Sequence, residues 1–455
     1  MQLFGIVKNI LLISLLSISC SSSSDSTNTN NLHNTKCPEN QLPSNLKVSC
    51  YKFSVNENNL AVSLLKSENP IGKPVLFLHG GPGGRATADT LKWLLPQSPI
   101  LARHDLILVD QRGSGLSNPS LDCRELDTTN EEIYDLYKAC RDRLINSGID
   151  LTRYRIENIT NDLIALRRSM EIDQWNLYSV SYGTRIALEL LRIDEAAVSA
   201  AVLDSAVPPH ITLYDSLYPE VDKSINSTIT ECVNSKRCSN SFNQEFDSLL
   251  SELHANPVLV STKKNSLSSI DDTAFIQLII SFLAHRPNTE DLISAIKLAI
   301  NGELAESVSL LEPLTGRGFS IGDETSEGVQ LSSECADEIP FNKPSSHSDQ
   351  APIIAALEKI EKTVHHLCSI WNVPPSPLTV KEPVHSNAEI LILGGHLDLV
   401  TPIKWAQSAL EYLPNATLIE STKWGHTPSL NSSCASHLVG KFFDGHRPLS
   451  GITNC

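Results

Sequence analysis

Short apolar runs bounded by glycine, proline or polar residues alternate along the chain with stretches of helical spacing. Leu46 to Val62 predicts two short strands. Pro74-Val-Leu-Phe-Leu-His79 is an apolar run ending at glycines, and Asp105-Leu-Ile-Leu-Val-Asp110 is another. Runs of this length and composition predict buried strands. Thr160 to Met170 puts Leu163, Leu166 and Met170 on one helical face. Gln174 to Val180 predicts a strand, Gly183 to Ile193 a helix, and Ala200 to Asp204 a further strand. Strands alternating with helices imply a parallel sheet with crossover helices.

The pattern changes near Pro208. Ser216 to Leu253, Asp272 to Ala284, Thr289 to Gly302 and Pro352 to Cys368 all have helical character, and no strong strand interrupts them. Pro374-Pro-Ser-Pro377 marks the exit from this region. The strand pattern returns at Ala388 to Leu393 and Ala416 to Glu420, and Cys434 to Asp444 predicts a last helix. The expected plan is a first core part over residues 46–209, a helical cap over 210–376 and a second core part over 377–455. No internal repeat of fixed period is visible.

The N-terminus reads as an export signal over residues 1–19: Lys8 supplies positive charge and Ile10 to Ile18 a short apolar run. Small residues lead to Cys20, and Ser21 to Asn31 is polar and of low complexity, so residues 20–45 are expected to be a tether. A signal ending in Cys before a polar tether resembles a bacterial lipoprotein, with Cys20 as the lipidated residue. Ser17 stands three places earlier where Leu is usual, and simple secretion with cleavage nearby is the alternative. Either way the expectation is an exported protein, periplasmic or anchored to the outer membrane, touching membrane only through an N-terminal lipid. The net charge of −16 argues against a nucleic-acid partner, since phosphates need Lys and Arg for neutralisation. Of 11 cysteines, 10 remain after Cys20. They fall in chain neighbours: Cys37 and Cys50, Cys123 and Cys140, Cys232 and Cys238, Cys335 and Cys368, Cys434 and Cys455. Export favours disulfides, and sequential pairing is the working expectation. No Cys-x-x-Cys or Cys-x-x-His cluster supports a zinc site, and no metal is expected.

Four segments carry candidate chemistry. Ser179-Val-Ser181-Tyr-Gly183 sits between a strand and a helix. A nucleophile elbow needs small residues two before and two after the serine, because strand and helix nearly touch there. Ser179 replaces the usual first glycine but is still small. The Tyr182 N–H is then a candidate oxyanion donor. His79-Gly-Gly-Pro-Gly-Gly84 follows a buried strand, and the Gly81 N–H is the second candidate donor. A phosphate-binding loop is the competing reading, but the Gly-Lys-Ser/Thr ending is missing and Pro82 removes a donor. Asp398, just past a strand, suits the acid, and His426 after the next strand suits the base. Ser181, Asp398, His426 is the chain order of the α/β-hydrolase triad. The expected fold class is therefore α/β: an α/β-hydrolase fold, its mostly parallel sheet flanked by helices and its helical cap inserted between the sheet halves.

With these residues in hand, the sequence resembles the proline iminopeptidase and tripeptidyl aminopeptidase family from about residue 46 to 455. The resemblance rests on His79-Gly-Gly-Pro-Gly-Gly84, Asp110-Gln-Arg-Gly-Ser-Gly115, Asp204-Ser-Ala-Val-Pro-Pro209 and Gly394-Gly-His-Leu-Asp-Leu-Val-Thr-Pro402. It implies release of residues from peptide N-termini without a cofactor, with peptides bearing a free N-terminus as partners. It also implies that cap carboxylates hold the substrate ammonium, for which Asp337 and Glu338 in Cys335-Ala-Asp-Glu338 are candidates; their bland reading is a solvated acidic turn. Asp110 and Arg112 are expected to build the adjoining loop. A carboxylesterase or lipase using the same triad, and a surface binding lipoprotein without activity, are the competing functions.

Overall fold

The computed structural model describes residues 31–37, 46–87, 99–127, 132–261, 267–312, 325–342 and 351–455. The expected signal segment and Cys20 lie outside the described residues.

Strands β1 (Leu32–Thr35), β2 (Lys47–Val55) and β3 (Asn58–Lys66) form an antiparallel run. β1 falls inside the stretch expected to be tether, which corrects that expectation for its described part. The strand is mostly exposed and packs little, but backbone pairing holds it on β2, and the Cys37–Cys50 disulfide closes the connection. Polar composition argues against a core element, not against an edge strand.

β4 (Val75–Leu78) and β5 (Leu106–Val109) are buried at every residue, as strands covered on both faces must be. Helices α1 (Ile133–Asn146) and α2 (Ile156–Ser169), strand β6 (Trp175–Val180), helix α3 (Tyr182–Asp194) and strand β7 (Val198–Asp204) follow. α2 buries Ile159, Leu163 and Leu166, a spacing that gives one apolar stripe.

The helical insertion starts with α4 (Leu213–Asn234) and α5 (Phe242–Ala255). The single helical span expected over Ser216 to Leu253 is thus two helices. The chain turns between them where Lys236 takes φ 60° and Cys232–Cys238 closes the bend. An antiparallel hairpin, β8 (Val258–Ser261) with β9 (Leu267–Ile270), comes next, where no strand was expected. Three of the four β8 residues are exposed, so no buried apolar run announces it. Helices α6 (Asp272–His285), α7 (Thr289–Ile300), α8 (Leu304–Leu311), α9 (Glu327–Asp337) and α10 (Pro352–Trp371) complete the insertion. Its own apolar core includes Ile225, Phe246, Phe275, Ile279 and Leu292.

The sheet resumes with β10 (Glu389–Gly395), followed by α11 (Ile403–Ala409), β11 (Ala416–Ser421), α12 (Pro428–Asn431), α13 (Ser433–Phe443) and β12 (Gly451–Ile452). Strand order is β1-β2-β3-β5-β4-β6-β7-β10-β11-β12, parallel from β5 onward. Leu76, Ile107, Leu177 and Ile392 pack on one face, and Phe77, Leu108, Tyr178 and Leu393 on the other. The cysteines of the core and insertion are joined as Cys123–Cys140, Cys335–Cys368 and Cys434–Cys455 besides the two pairs above. Because the strands are parallel, β4, β6, β7, β10 and β11 all present their carboxyl ends at one rim, the usual place for a ligand site in such sheets.

Candidate active site

β6 is buried through Val180, and the chain then turns at Ser181 into α3. Ser181 has φ 54° and ψ −130°, a conformation that a residue with a Cβ holds only where its surroundings impose it. Its N–H donates to the Asp204 carbonyl at 2.9 Å, and its own carbonyl accepts from the Thr184 N–H at 2.8 Å and the Thr184 hydroxyl at 2.6 Å. The close approach of strand and helix is visible at Gly183: a Cβ there would lie 2.1 Å from the Leu78 carbonyl oxygen. Ser179, at the position usually taken by glycine, is fully buried and donates its hydroxyl to the Val202 carbonyl at 2.5 Å. The extra polar atom is therefore satisfied on the neighbouring strand.

The glycine loop after β4 lies against this turn. A Cβ on Gly80 would come within 2.8 Å of the Ser181 Cβ and 3.3 Å of its Oγ. Gly81 has φ 118°, and a Cβ there would meet the Gly83 and Gly84 nitrogens at 2.9 Å. Tyr182 is the first residue of α3, so its N–H has no acceptor within the helix. Asp110 and Arg112 build the wall behind. Asp110 accepts the N–H groups of Thr87 and Leu116 at 2.8 Å each. Arg112 forms a buried bidentate pair with Asp162 at 2.6 and 2.8 Å.

Asp398 and His426 meet above β10 and β11. The imidazole Nδ1 lies 2.9 Å from Asp398 Oδ2. That oxygen also accepts the Thr401 hydroxyl at 2.7 Å and the Ser205 hydroxyl at 2.9 Å, while Oδ1 accepts the Val400 and Thr401 N–H groups at 2.9 Å. Burial pushes the Asp398 carboxyl up, but the His426 charge and these donors outweigh it and hold it below the ordinary aspartate range. Burial pushes the imidazole down, and the Asp398 charge and hydrogen bond, with help from Asp204, bring it above the ordinary histidine value. The His426 backbone N–H donates to the Ala284 carbonyl at the end of α6, 2.9 Å away, so the insertion helps to hold the base. Among the described residues no hydrogen bond joins Ser181 Oγ to His426; both stand at the same rim, linked through the backbone of Asp204 and the hydroxyl of Ser205.

Asp337 and Glu338 are not a solvated turn. Asp337 is fully buried, with Ser376 Oγ on Oδ1 at 2.5 Å and the Ile156 N–H and Ser333 hydroxyl on Oδ2 at 3.0 and 3.3 Å. Glu338 pairs with Arg185 at 2.6 Å and Lys381 at 2.8 Å. Every carboxylate oxygen of the two thus has an internal partner, and neither is open to a substrate ammonium in this structure. Glu334, one helical turn before Glu338 on α9, was not singled out from the sequence. It is half-buried, accepts the Tyr214 hydroxyl, and burial pushes its carboxyl up to about 7. Its i, i+4 spacing from Glu338 was the available signal. Ser205 and Thr401, whose hydroxyls bond Asp398, lie inside the family motifs but carry no separate sequence signal.

A strained serine at a strand-to-helix turn, a glycine loop against it and an acid–histidine pair at the same rim of a mostly parallel sheet define the α/β-hydrolase fold. Residues 73–272 match the family model described as "alpha/beta hydrolase fold", and residues 357–454 match "TAP-like protein". The chain is an α/β-hydrolase in fold, and its similarities are to TAP-like proteins and proline iminopeptidases. It is 32% identical over 123 residues to a "Probable proline iminopeptidase" of Leptolyngbya boryana, covering 27% of this chain and 28% of that protein. It is 30% identical over 139 residues to a "Proline iminopeptidase" of Xanthomonas citri, covering 30% of this chain and 33% of that protein. The match thus spans a third or less of these relatives' length. Among solved structures, a serine hydrolase from Cycloclasticus zankles aligns with a TM-score of 0.42 at 14% identity, over 88% of this chain and 99% of its own. An esterase from Exiguobacterium antarcticum aligns with a TM-score of 0.41 at 16% identity, over 85% of this chain and 96% of its own.

Proposed function

We propose that this protein is a serine aminopeptidase that cleaves peptide bonds near the free N-terminus of its substrates through a Ser181–His426–Asp398 triad. The observation that carries the reading is the His426–Asp398 pair, 2.9 Å apart, at the rim where the strained Ser181 turn meets the glycine loop. His426 removes the Ser181 proton, and Ser181 Oγ attacks the scissile carbonyl. The N–H groups of Gly81 and Tyr182 stabilise the oxyanion, where a single donor is worth roughly 10²–10³ in rate. His426 then protonates the leaving amine, and water resolves the acyl-enzyme by the reverse proton path. Asp398 holds the imidazole tautomer and balances its charge.

The relatives named as proline iminopeptidases support a peptide substrate entered from its N-terminus. Glu334 is the carboxylate we assign to the substrate ammonium: it belongs to the insertion, is half-buried, and follows Ser333, whose hydroxyl bonds Tyr182. The reading includes export, because five disulfides suit an oxidising compartment. Anchoring through Cys20 is part of the same proposal.

A panel of arylamides of one to three residues, with free and blocked N-termini, tests the function. Turnover of free-amine substrates that is lost on blocking is the expected result. Turnover of plain esters with none of the arylamides contradicts it and favours a carboxylesterase.

A further inference from the structure

The last residue of β7 and the one after it touch Ser181, Asp398 and Thr427, the residue that follows His426. The Asp204 carbonyl accepts the Ser181 N–H at 2.9 Å. The Ser205 hydroxyl donates to Asp398 Oδ2 at 2.9 Å and accepts the Thr427 N–H at 2.8 Å. The Asp204 carboxylate is fully buried; its Oδ2 accepts the Ser429 N–H at 2.9 Å and the Ser429 hydroxyl, and its Oδ1 has no hydrogen-bond partner among the described residues. With its proton directed to Asp204, the Ser429 hydroxyl accepts from the Tyr178 hydroxyl at 2.7 Å. Ser205 and Thr427 have φ 61° and 50°, so both ends of this bridge are left-handed at residues that carry a Cβ. Together with Ser181, these strained residues gather at one rim, as backbone strain does at working sites.

We propose that Asp204 is a positioning residue for His426, anchoring the turn that carries the imidazole through Ser429 and placing a second negative charge behind it. The proposal rests on reading His426 as the general base. Asp398 bonds the imidazole from the loop after β10, and the charge of Asp204 at the end of β7 also favours the imidazolium. The groups facing Asp204 are His426, Asp398 and, through Ser429, Tyr178 on β6. Burial pushes the Asp204 carboxyl up to about 7, against the pull of the Ser429 bonds and the His426 charge. The Asp204 and His426 charges each favour the other, so the two titrations are linked. Asp398 is the tautomer-fixing acid; Asp204 tunes how readily the imidazole stays protonated.

The test is the titration of the His426 Cε1–H signal by NMR in the Ser181→Ala protein, assigned with His426→Gln. Asp204→Asn removes the second charge and should lower the imidazole midpoint by ~0.5–1 pH unit. Ser429→Ala removes a donor to Asp204, which then ionises less readily, so the midpoint should move the same way by a smaller amount. A midpoint that is unmoved or raised in folded Asp204→Asn overturns the proposal. If that variant does not fold, Ser429→Ala decides alone, and an unmoved or raised midpoint there overturns it. The readout is a titration, not turnover, so it is scored independently of whether the arylamide panel upholds the peptidase reading.

Discussion

The Tyr182 hydroxyl lies 2.6 Å from Ser333 Oγ. One residue after the proposed nucleophile is thereby tied to helix α9 of the insertion, whose next turn ends in the buried Asp337 and Glu338. Arg185, on the helix that Tyr182 begins, closes the same contact through Glu338 at 2.6 Å. The backbone N–H proposed to stabilise the oxyanion is thus held from both sides. Tyr182→Phe should lower kcat with little change in KM. A net loss of about 0.5–1.5 kcal/mol for a neutral hydrogen bond corresponds to roughly 2- to 12-fold. Steady-state kinetics on an arylamide check this, and an unchanged kcat would show that the tie does not bear on the N–H.

Asp398→Asn keeps the shape of the acid but replaces the acceptor pattern that five donors now meet. The imidazole should take the wrong tautomer, with kcat/KM falling by roughly 10⁴. Circular dichroism on the same sample separates this from unfolding. A loss of under tenfold in folded protein contradicts the role of the acid.

Glu334→Gln removes the charge assigned to the substrate ammonium. KM for free-amine arylamides should rise, and the little activity on blocked substrates should stay as it is. An equal effect on both substrate classes would place Glu334 in the structure of α9 alone.

Stability should follow pH in a way that isolates Asp204. Its folded value, about 7, lies above the ordinary aspartate value of 3.8. Below ordinary aspartate pH the group is neutral in both states and costs nothing; as pH rises toward its folded value, the unfolded chain ionises first and stability is lost. His426 is raised in the fold, so its contribution is full below the ordinary histidine value and is lost as pH rises through the folded one. Asp398 is lowered, so its contribution is present at neutral pH and is lost on acidification through its folded value. Asp204→Asn removes the first term and weakens the second. The Tm difference between variant and wild type should therefore rise from pH 5 to pH 8, as read by thermal melts. A difference that is flat or falls contradicts the burial of an ionisable Asp204.

The Cys335–Cys368 disulfide joins α9 to α10 across 33 residues. Chain-entropy reasoning assigns a loop of that size about 3–4 kcal/mol. Replacing both cysteines with serine should lower stability by that order in urea melts; an unchanged midpoint would mean that packing alone holds α9.

The sequence is most legible where burial is continuous. The runs at Val75–Leu78 and Leu106–Val109 are strands because both sheet faces are covered, and that leaves an unbroken apolar signature. Ser181 and Asp398 could be singled out because each follows such a strand, and His426 because it follows the next, part-buried one. Ser179 departs from the usual glycine of the elbow. In the fold its hydroxyl reaches Val202 on the neighbouring strand, a partner no local motif reveals. Ser179→Gly should accordingly keep activity. Strands β8 and β1 are largely exposed and leave no pattern. Asp337 and Glu338 read as an ammonium clamp or a solvated turn rather than as buried pairs, because their partners, Ile156, Arg185, Ser376 and Lys381, arrive from distant segments. Asp204 and Ser205 were visible only as part of a family motif; their contact with the triad depends on β7 lying between β6 and β10.

The most direct measurement of the central claim is labelling with a fluorophosphonate, followed by mass spectrometry of the modified peptide. The account predicts one adduct, on Ser181, abolished in Ser181→Ala and slowed in His426→Gln. No adduct on folded wild-type protein, or an adduct that survives Ser181→Ala, would contradict it.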